Sequence, residues 1–211
     1  MIILFWLLNF AISGYNAWAC GQSWNTTKHV GGVLHFMNWC GAIMSACGFT
    51  WCYVILVALL GPAIPIDQDD GTTAPLLTTD QVQAIANLEY LLVIGPILGS
   101  GIAITLQAWA LAWKRRKLAD YGIAAWDTFA TVYNLSEAVD YVPKAFGSIG
   151  DFFSGDSDDK GKGIVLLLVV FAALAGCLTT YSILQASANK VRVRAAFDRI
   201  RAKAKVESNG R

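Results

Sequence analysis

The chain has 211 residues, 55% of them hydrophobic, and a formal net charge of +1 at pH 7. Four apolar runs are each long enough to cross a bilayer as a helix, which leaves little of the chain for a soluble domain. They lie at about residues 2–20, 32–61, 84–113 and 163–184. The sequence therefore predicts an all-α, polytopic helical membrane protein in the cell or inner membrane. Its transmembrane domain is expected over residues 1–189, and a basic helical tail over residues 190–211.

The first run carries the small-x-small pattern of a signal-peptide cleavage site, Ala17-Trp18-Ala19 before Cys20. No Lys or Arg precedes the run, however, so we predict that it is retained as a span. The five cysteines all lie in or beside apolar runs, with no CxxC pair and no His at ligand spacing. We expect them to be small packing residues, with a Cys20–Cys40 disulfide as the alternative, and we expect neither a metal nor a cofactor.

Small and polar residues form a stripe along each of the first two runs. The stripe of the first run is Asn9, Ser13 and Asn16, and that of the second is Asn38, Gly41, Ser45 and Gly48. Unpaired amides are costly in hydrocarbon and small residues let helices approach closely, so both stripes are predicted to be packing or assembly surfaces. They could face each other in a tight hairpin or face a second subunit.

The third and fourth runs carry further small-residue faces. These faces are Gly95 and Gly99 in the third run, and Ala172 and Gly176 in the fourth. Glu89 also lies in the third run, where an acidic residue is a functional candidate, although it is close enough to the outer edge to reach water.

Charges are segregated along the chain. Residues 62–83 contain Asp67, Asp69, Asp70 and Asp80 without Lys or Arg, so this loop is expected outside. Basic residues follow the third and fourth runs and are expected to contact lipid headgroups or a partner, anionic headgroups in the case of the tail. They are Lys114, Arg115, Arg116, Lys117, Arg192, Arg194, Arg199 and Arg201. Nucleic acid is not an expected partner.

The segment at about residues 121–142 decides the topology. It has a helical polar stripe, but Asp127, Glu137 and Asp140 would each cost about 2.5 to 3.5 kcal/mol near the bilayer centre. Hydropathy thus indicates an amphipathic helix in the interface, whereas a fifth span would bring both basic clusters to the inner side. We give hydropathy the greater weight and prefer the interfacial helix.

No stretch carries a catalytic or ligand-binding signature, so we do not expect an enzyme. The working hypothesis is a non-enzymatic multi-pass protein that acts as an assembly or structural subunit of a homo-oligomer or a larger membrane complex. The alternative is a pore-forming or transport subunit in which the polar face of residues 121–142 lines a water-filled path. Its candidate path residues are Glu89, Asp127, Thr131, Asn134 and Glu137.

Overall fold

The computed structural model describes residues 2–30, 32–67, 72–155 and 159–209. Most of these residues lie in five helices, and Asp69 and Asp70 of the acidic loop fall outside the described part. The helices are α1 (Ile2–Val30), α2 (Gly32–Leu60), α3 (Thr79–Arg115), α4 (Leu118–Ser154) and α5 (Asp159–Asn209). A short 3-10 helix (Gly61–Ala63) and the antiparallel strands β1 (Pro65–Asp67) and β2 (Thr73–Pro75) connect α2 to α3.

The predicted all-α class is confirmed, and four of the helices are long and apolar enough to cross a membrane. These are α1, α2, α3 and α5; α4 is too polar to be counted with them by composition. The 37 residues of α3 extend over about 55 Å, more than the roughly 30 Å of a hydrocarbon core. A capping box of Thr78 and Gln81 begins α3, and Arg116 in the left-handed conformation (φ 53°) ends it.

Neighbouring helices α1 and α2 run antiparallel, since Asn9 contacts Gly48 while Ser23 contacts Asn38. Helices α3 and α4 form a second antiparallel pair that is bonded along nearly its whole length. Asn87, near the start of α3, bonds Ser148 near the end of α4, and Trp109 bonds Thr128. Helix α4 therefore runs lengthwise beside α3.

The antiparallel arrangement places the two basic clusters and the acidic loop at opposite ends of the bundle. The turn between α1 and α2, the turn between α3 and α4, and the end of α5 share one end, which we call the basic end. There Arg192 of the tail donates a hydrogen bond of 2.9 Å to Asn25. The opposite end holds the connection from α2 to α3 and the start of α5, where Gly161 lies against Gln81. We call it the acidic end.

Apolar packing is concentrated towards the acidic end, where α2, α3 and α5 meet. This core contains Val54, Leu77, Ala84, Ile85, Val165, Val169 and Ala172. Large hydrophobic side chains on the outward faces, such as Phe5, Leu106 and Phe171, are exposed. Exposed apolar surface of this kind suits a lipid environment, in agreement with the membrane assignment.

Candidate functional site

The polar stripes of α1 and α2 face each other within the chain. The Asn9 side-chain amide donates to the Gly48 carbonyl at 2.8 Å, and the Ser45 hydroxyl donates to the Ser13 carbonyl at 2.6 Å. A Cβ added at Gly48 would collide with the Ser13 hydroxyl, and one at Gly41 would lie 2.6 Å from the Cys20 sulfur. These glycines thus allow the close approach that the hydrogen bonds require.

Helix α5 packs into the same unit. The backbone of Gly176 lies so close to Thr50 that a side chain could not be added there. Ala172 is also buried. Towards the basic end, the Ser187 hydroxyl donates to the Trp18 carbonyl at 2.7 Å. Asn38 donates to Thr27 at 2.6 Å. These residues hold α1, α2 and α5 together within one chain, so they serve its own fold.

Two of the predicted packing glycines behave differently. Gly95 and Gly99 are exposed on the outer face of α3, and a Cβ at either position would meet nothing within 4 Å. Asn16 lines a cavity that residues of α2, α3 and α4 also border. The small-residue face of α3 formed by Gly95 and Gly99 therefore makes no close helix contact within the described bundle.

Side-chain hydrogen bonds join α4 to α3. Thr105 and Thr131 share a bond of 3.0 Å, and the Trp109 indole N–H donates to the Thr128 hydroxyl at 2.9 Å. Nearer the acidic end, Asn87 accepts a bond of 2.7 Å from the Tyr141 hydroxyl. These bonds satisfy polar groups that would be costly in hydrocarbon, and they hold the polar side of α4 against the bundle.

A cavity of about 410 Å³ lies between this pair and α1–α2, close to the midpoint of the helices. Gly41 and Met44 of α2 and Asn16 of α1 form one wall. The lining on α3 is Ile97, Leu98, Gly101 and Ile104; that on α4 is Trp126, Asp127, Ala130, Thr131 and Asn134. Three of the five predicted path residues, Asp127, Thr131 and Asn134, therefore meet at one site.

Asp127 is the only charged residue among those that line the cavity. The Asn134 amide nitrogen donates to the Ala130 carbonyl of its own helix at 2.8 Å, which leaves its carbonyl oxygen as an acceptor. Asn16 adds a second amide. A carboxylate with neighbouring amide oxygens and an aromatic ring, that of Trp126, is suited to a cation and unsuited to an anion.

The other two predicted path residues do not line the cavity. Glu137 is exposed on the outward face of α4. Glu89 is 3% exposed, so the expectation that it reaches water is wrong, and Cys47 of α2 lies within electrostatic range of it. Asp140, the third carboxylate of the α4 segment, is paired with Lys144 at 2.8 Å, one helical turn later.

Sequence inspection missed several residues that shape the site. Trp126 lines the cavity although its side chain is largely exposed, and Gly101 provides the space that Thr131 fills, since a Cβ there would lie 3.1 Å from the threonine hydroxyl. The i, i+4 spacing of Asp140 and Lys144 was a signal that the sequence offered. The partnership of Gly101 with Thr131 had no local signal, because the two residues belong to different helices.

All predicted basic contact residues lie at the basic end, on the turn between α3 and α4 and on the tail of α5. Lys114, Arg115, Arg116 and Lys117 are exposed, as are Arg194, Arg199 and Arg201. Arg192 is tied to Asn25, and the preceding Lys190 lies 5.2 Å from the Trp18 ring centroid. Both basic clusters therefore face the same compartment if the bundle stands across a membrane.

The five cysteines are free thiols, so the alternative Cys20–Cys40 disulfide is absent. Four are buried, and Cys177 is exposed on α5. Within the described residues, no group of three or more His, Cys, Asp or Glu side chains is placed to hold a metal ion.

No protein-family model, curated protein or solved structure matches the chain. The cavity, the seam between α3 and α4 and the distribution of charge are thus the observations that bear on its function.

Proposed function

We propose that the protein is a non-enzymatic pore-forming or transport subunit with five membrane spans. In this proposal the cavity is the central part of a water-filled path for a small cation. The observation that carries it is the convergence of Asp127, Thr131 and Asn134 with Asn16 on one cavity at the midpoint of the bundle. Polar and ionisable groups inside a membrane bundle typically mark such a path.

The direction of α4 supports the fifth span. An interfacial helix lies in the membrane plane, crossing the spans, whereas α4 is bonded lengthwise to α3 from Trp109 to Asn87. A fifth span also places both basic clusters on one side and the acidic loop on the other, as the positive-inside rule requires. Both arguments oppose the interfacial helix preferred from hydropathy.

The environments of the three carboxylates reduce the objection to a fifth span. Asp127 faces the cavity, where water can solvate it, and Asp140 is paired with Lys144. Only Glu137 remains on the outward face without such compensation in these contacts. Only one of the three carboxylates therefore carries the full cost of insertion, which is about 3 kcal/mol. A bundle of this size can accommodate that cost.

The charge of the lining determines the class of solute. Asp127 supplies one negative charge, and no Lys, Arg or His lines the cavity. Asn16 and Asn134 supply oxygens that can replace part of a cation's hydration shell. An anion would meet repulsion from the carboxylate without a compensating positive charge in the lining, so we propose cation selectivity.

The experiment is a flux assay on the purified protein in liposomes under an applied voltage. We expect a cation current or uptake that Asp127→Asn reduces by about tenfold, since one carboxylate contact contributes on the order of 1 to 2 kcal/mol. Glu137→Gln is the matched control, because it removes a carboxylate of the same helix that does not line the cavity. Liposomes that remain tight to small cations, or equal effects of the two substitutions, would contradict the proposal.

A second candidate function is assembly of a homo-oligomer or larger membrane complex. One observation favours it: Gly95 and Gly99 present a small-residue face outwards, and none of the described helices comes within 4 Å of a Cβ placed there. Gly99→Leu is expected to lower the particle mass in mild detergent or nanodiscs without unfolding the protein. An unchanged mass, or a wild-type protein that is already monomeric, would count against assembly through this face.

A further inference from the structure

Glu89 is the most deeply buried acidic side chain that the structure describes, at 3% exposure. It lies in α3, ten residues after the helix begins, and is not part of the cavity lining. Its Oε1 atom is buried without a hydrogen-bond partner. Ionised carboxylates in such positions are normally paired or bonded, so this group requires an explanation.

Among the residues that the structure describes, no positively charged group is recorded as interacting with Glu89. From α2, the thiols of Cys47 and Cys52 lie within electrostatic range, and Cys177 of α5 lies near Cys47. Next to Glu89 in α3, Tyr90 makes an edge-to-face contact with the Tyr141 ring of α4, with ring centroids 4.7 Å apart, and Glu137 of α4 is also within electrostatic range of Tyr90. Among the described groups, the thiols therefore interact with Glu89 itself, while the second phenol and the further acid lie around its chain neighbour Tyr90.

We infer that Glu89 is an intramembrane proton-binding site. An unpaired carboxylate in this environment would lose its hydration without gaining a counter-charge, whereas the neutral acid avoids that penalty. The proton occupies one carboxyl oxygen and removes the negative charge that no neighbouring cation compensates. Its release requires water or a cation to reach the interface between α2 and α3, so the state of that interface and the proton occupancy are linked. This inference rests on Glu89 and is independent of the proposed cation path.

The test uses the full-length protein in nanodiscs and the hydrophobic reagent dicyclohexylcarbodiimide. The reagent reacts with a neutral carboxylic acid, which adds its O–H across a C=N bond, so the adduct needs no further reactant. Peptide mass spectrometry should find the adduct on Glu89 at neutral pH. Asp80, an exposed carboxyl in the first turn of the same helix, is the internal control and should remain unmodified.

Raising the pH should reduce labelling of Glu89 about tenfold per unit above its titration midpoint, because only the neutral acid reacts. Infrared difference spectra provide a second measurement: Glu89→Gln should remove a carboxylic-acid carbonyl band that Asp127→Asn leaves in place. No adduct on Glu89 between about pH 5 and pH 9, or labelling of Asp80 to the same extent, would overturn the inference. The labelling arm uses the wild-type chain, so it decides the question even if Glu89→Gln does not fold.

Discussion

The unit formed by α1, α2 and α5 and the pair formed by α3 and α4 are both joined by hydrogen bonds, but they differ in how closely their helices approach. In the first, glycines bring backbones into contact, as at Gly48 against Ser13 and Gly176 against Thr50. In the second, hydrogen-bonded side chains join the helices, and a cavity of about 410 Å³ separates α4 from α1 and α2. The first unit also holds a pocket of about 270 Å³, but its lining is mainly apolar and carries no charged residue, whereas the cavity beside α4 is lined by Asp127.

The comparison teaches what each kind of contact permits. Close glycine contacts depend on steric fit and are lost when the helices separate. The unit of α1, α2 and α5 is therefore expected to be rigid. Hydroxyl and amide bonds such as Thr105–Thr131 can exchange their partner for water with little loss. A water-filled path is therefore expected beside α4 and not within the unit of α1, α2 and α5.

The largest expected effect concerns whether α4 crosses the membrane with the rest of the bundle. Single reporter cysteines at Lys117 and Gly155, in a background without the native cysteines, bracket this helix. We expect labelling of intact membranes from opposite sides, and labelling of a reporter at Ala202 from the same side as Lys117. Labelling of both Lys117 and Gly155 from the same side would show that α4 lies in the membrane interface. It would contradict the five-span arrangement.

The next largest effect is expected on the stability of the unit formed by α1, α2 and α5. Gly48→Leu should destabilise the protein by about 3 kcal/mol, because the new side chain would collide with Ser13 and separate the bonded helices. Thermal or denaturant unfolding in detergent measures the change. Gly99→Leu is the matched control, since a Cβ there meets nothing within 4 Å. Equal losses of stability for the two variants would contradict the assigned difference between the helix faces.

A smaller loss of stability is expected when the side-chain hydrogen bonds between α3 and α4 are removed. Asn87→Leu removes the bond to Ser148 at 2.9 Å and the acceptor of Tyr141 at 2.7 Å, for a loss of about 1 kcal/mol. The measurement is the unfolding free energy, together with hydrogen exchange of α4 amides, which should accelerate more than those of α1. An equal acceleration of hydrogen exchange in α4 and α1 would contradict the expectation that the substitution loosens α4 selectively.

Much of the fold could be predicted because it depends on local patterns. Apolar run length gave the four spans, and the spacing of Asn9, Ser13, Gly41 and Ser45 identified the faces that meet. The choice between packing within the chain and packing with a second subunit could not be made from spacing. It depends on which helix lies opposite each face, and that is a property of the whole bundle.

The candidate site was predictable only in part for the same reason. Asp127, Thr131 and Asn134 share one helix face, so their common orientation follows from the period of the α-helix. Glu137 lies just beyond this face and is exposed, although the stripe included it. The burial of Glu89 and the contribution of Gly101 require the positions of neighbouring helices, which no window of sequence contains.

The position of the cavity midway along the helices has an electrical consequence. A cation bound beside Asp127 has crossed about half of the transmembrane potential, which corresponds to about 1.2 kcal/mol for each 100 mV. A potential that is negative on the basic side therefore favours entry from the acidic side and opposes return. If the protein conducts a cation as proposed, the cavity's occupancy is expected to depend on the transmembrane potential, and a cation bound at this depth would act as a sensor of voltage.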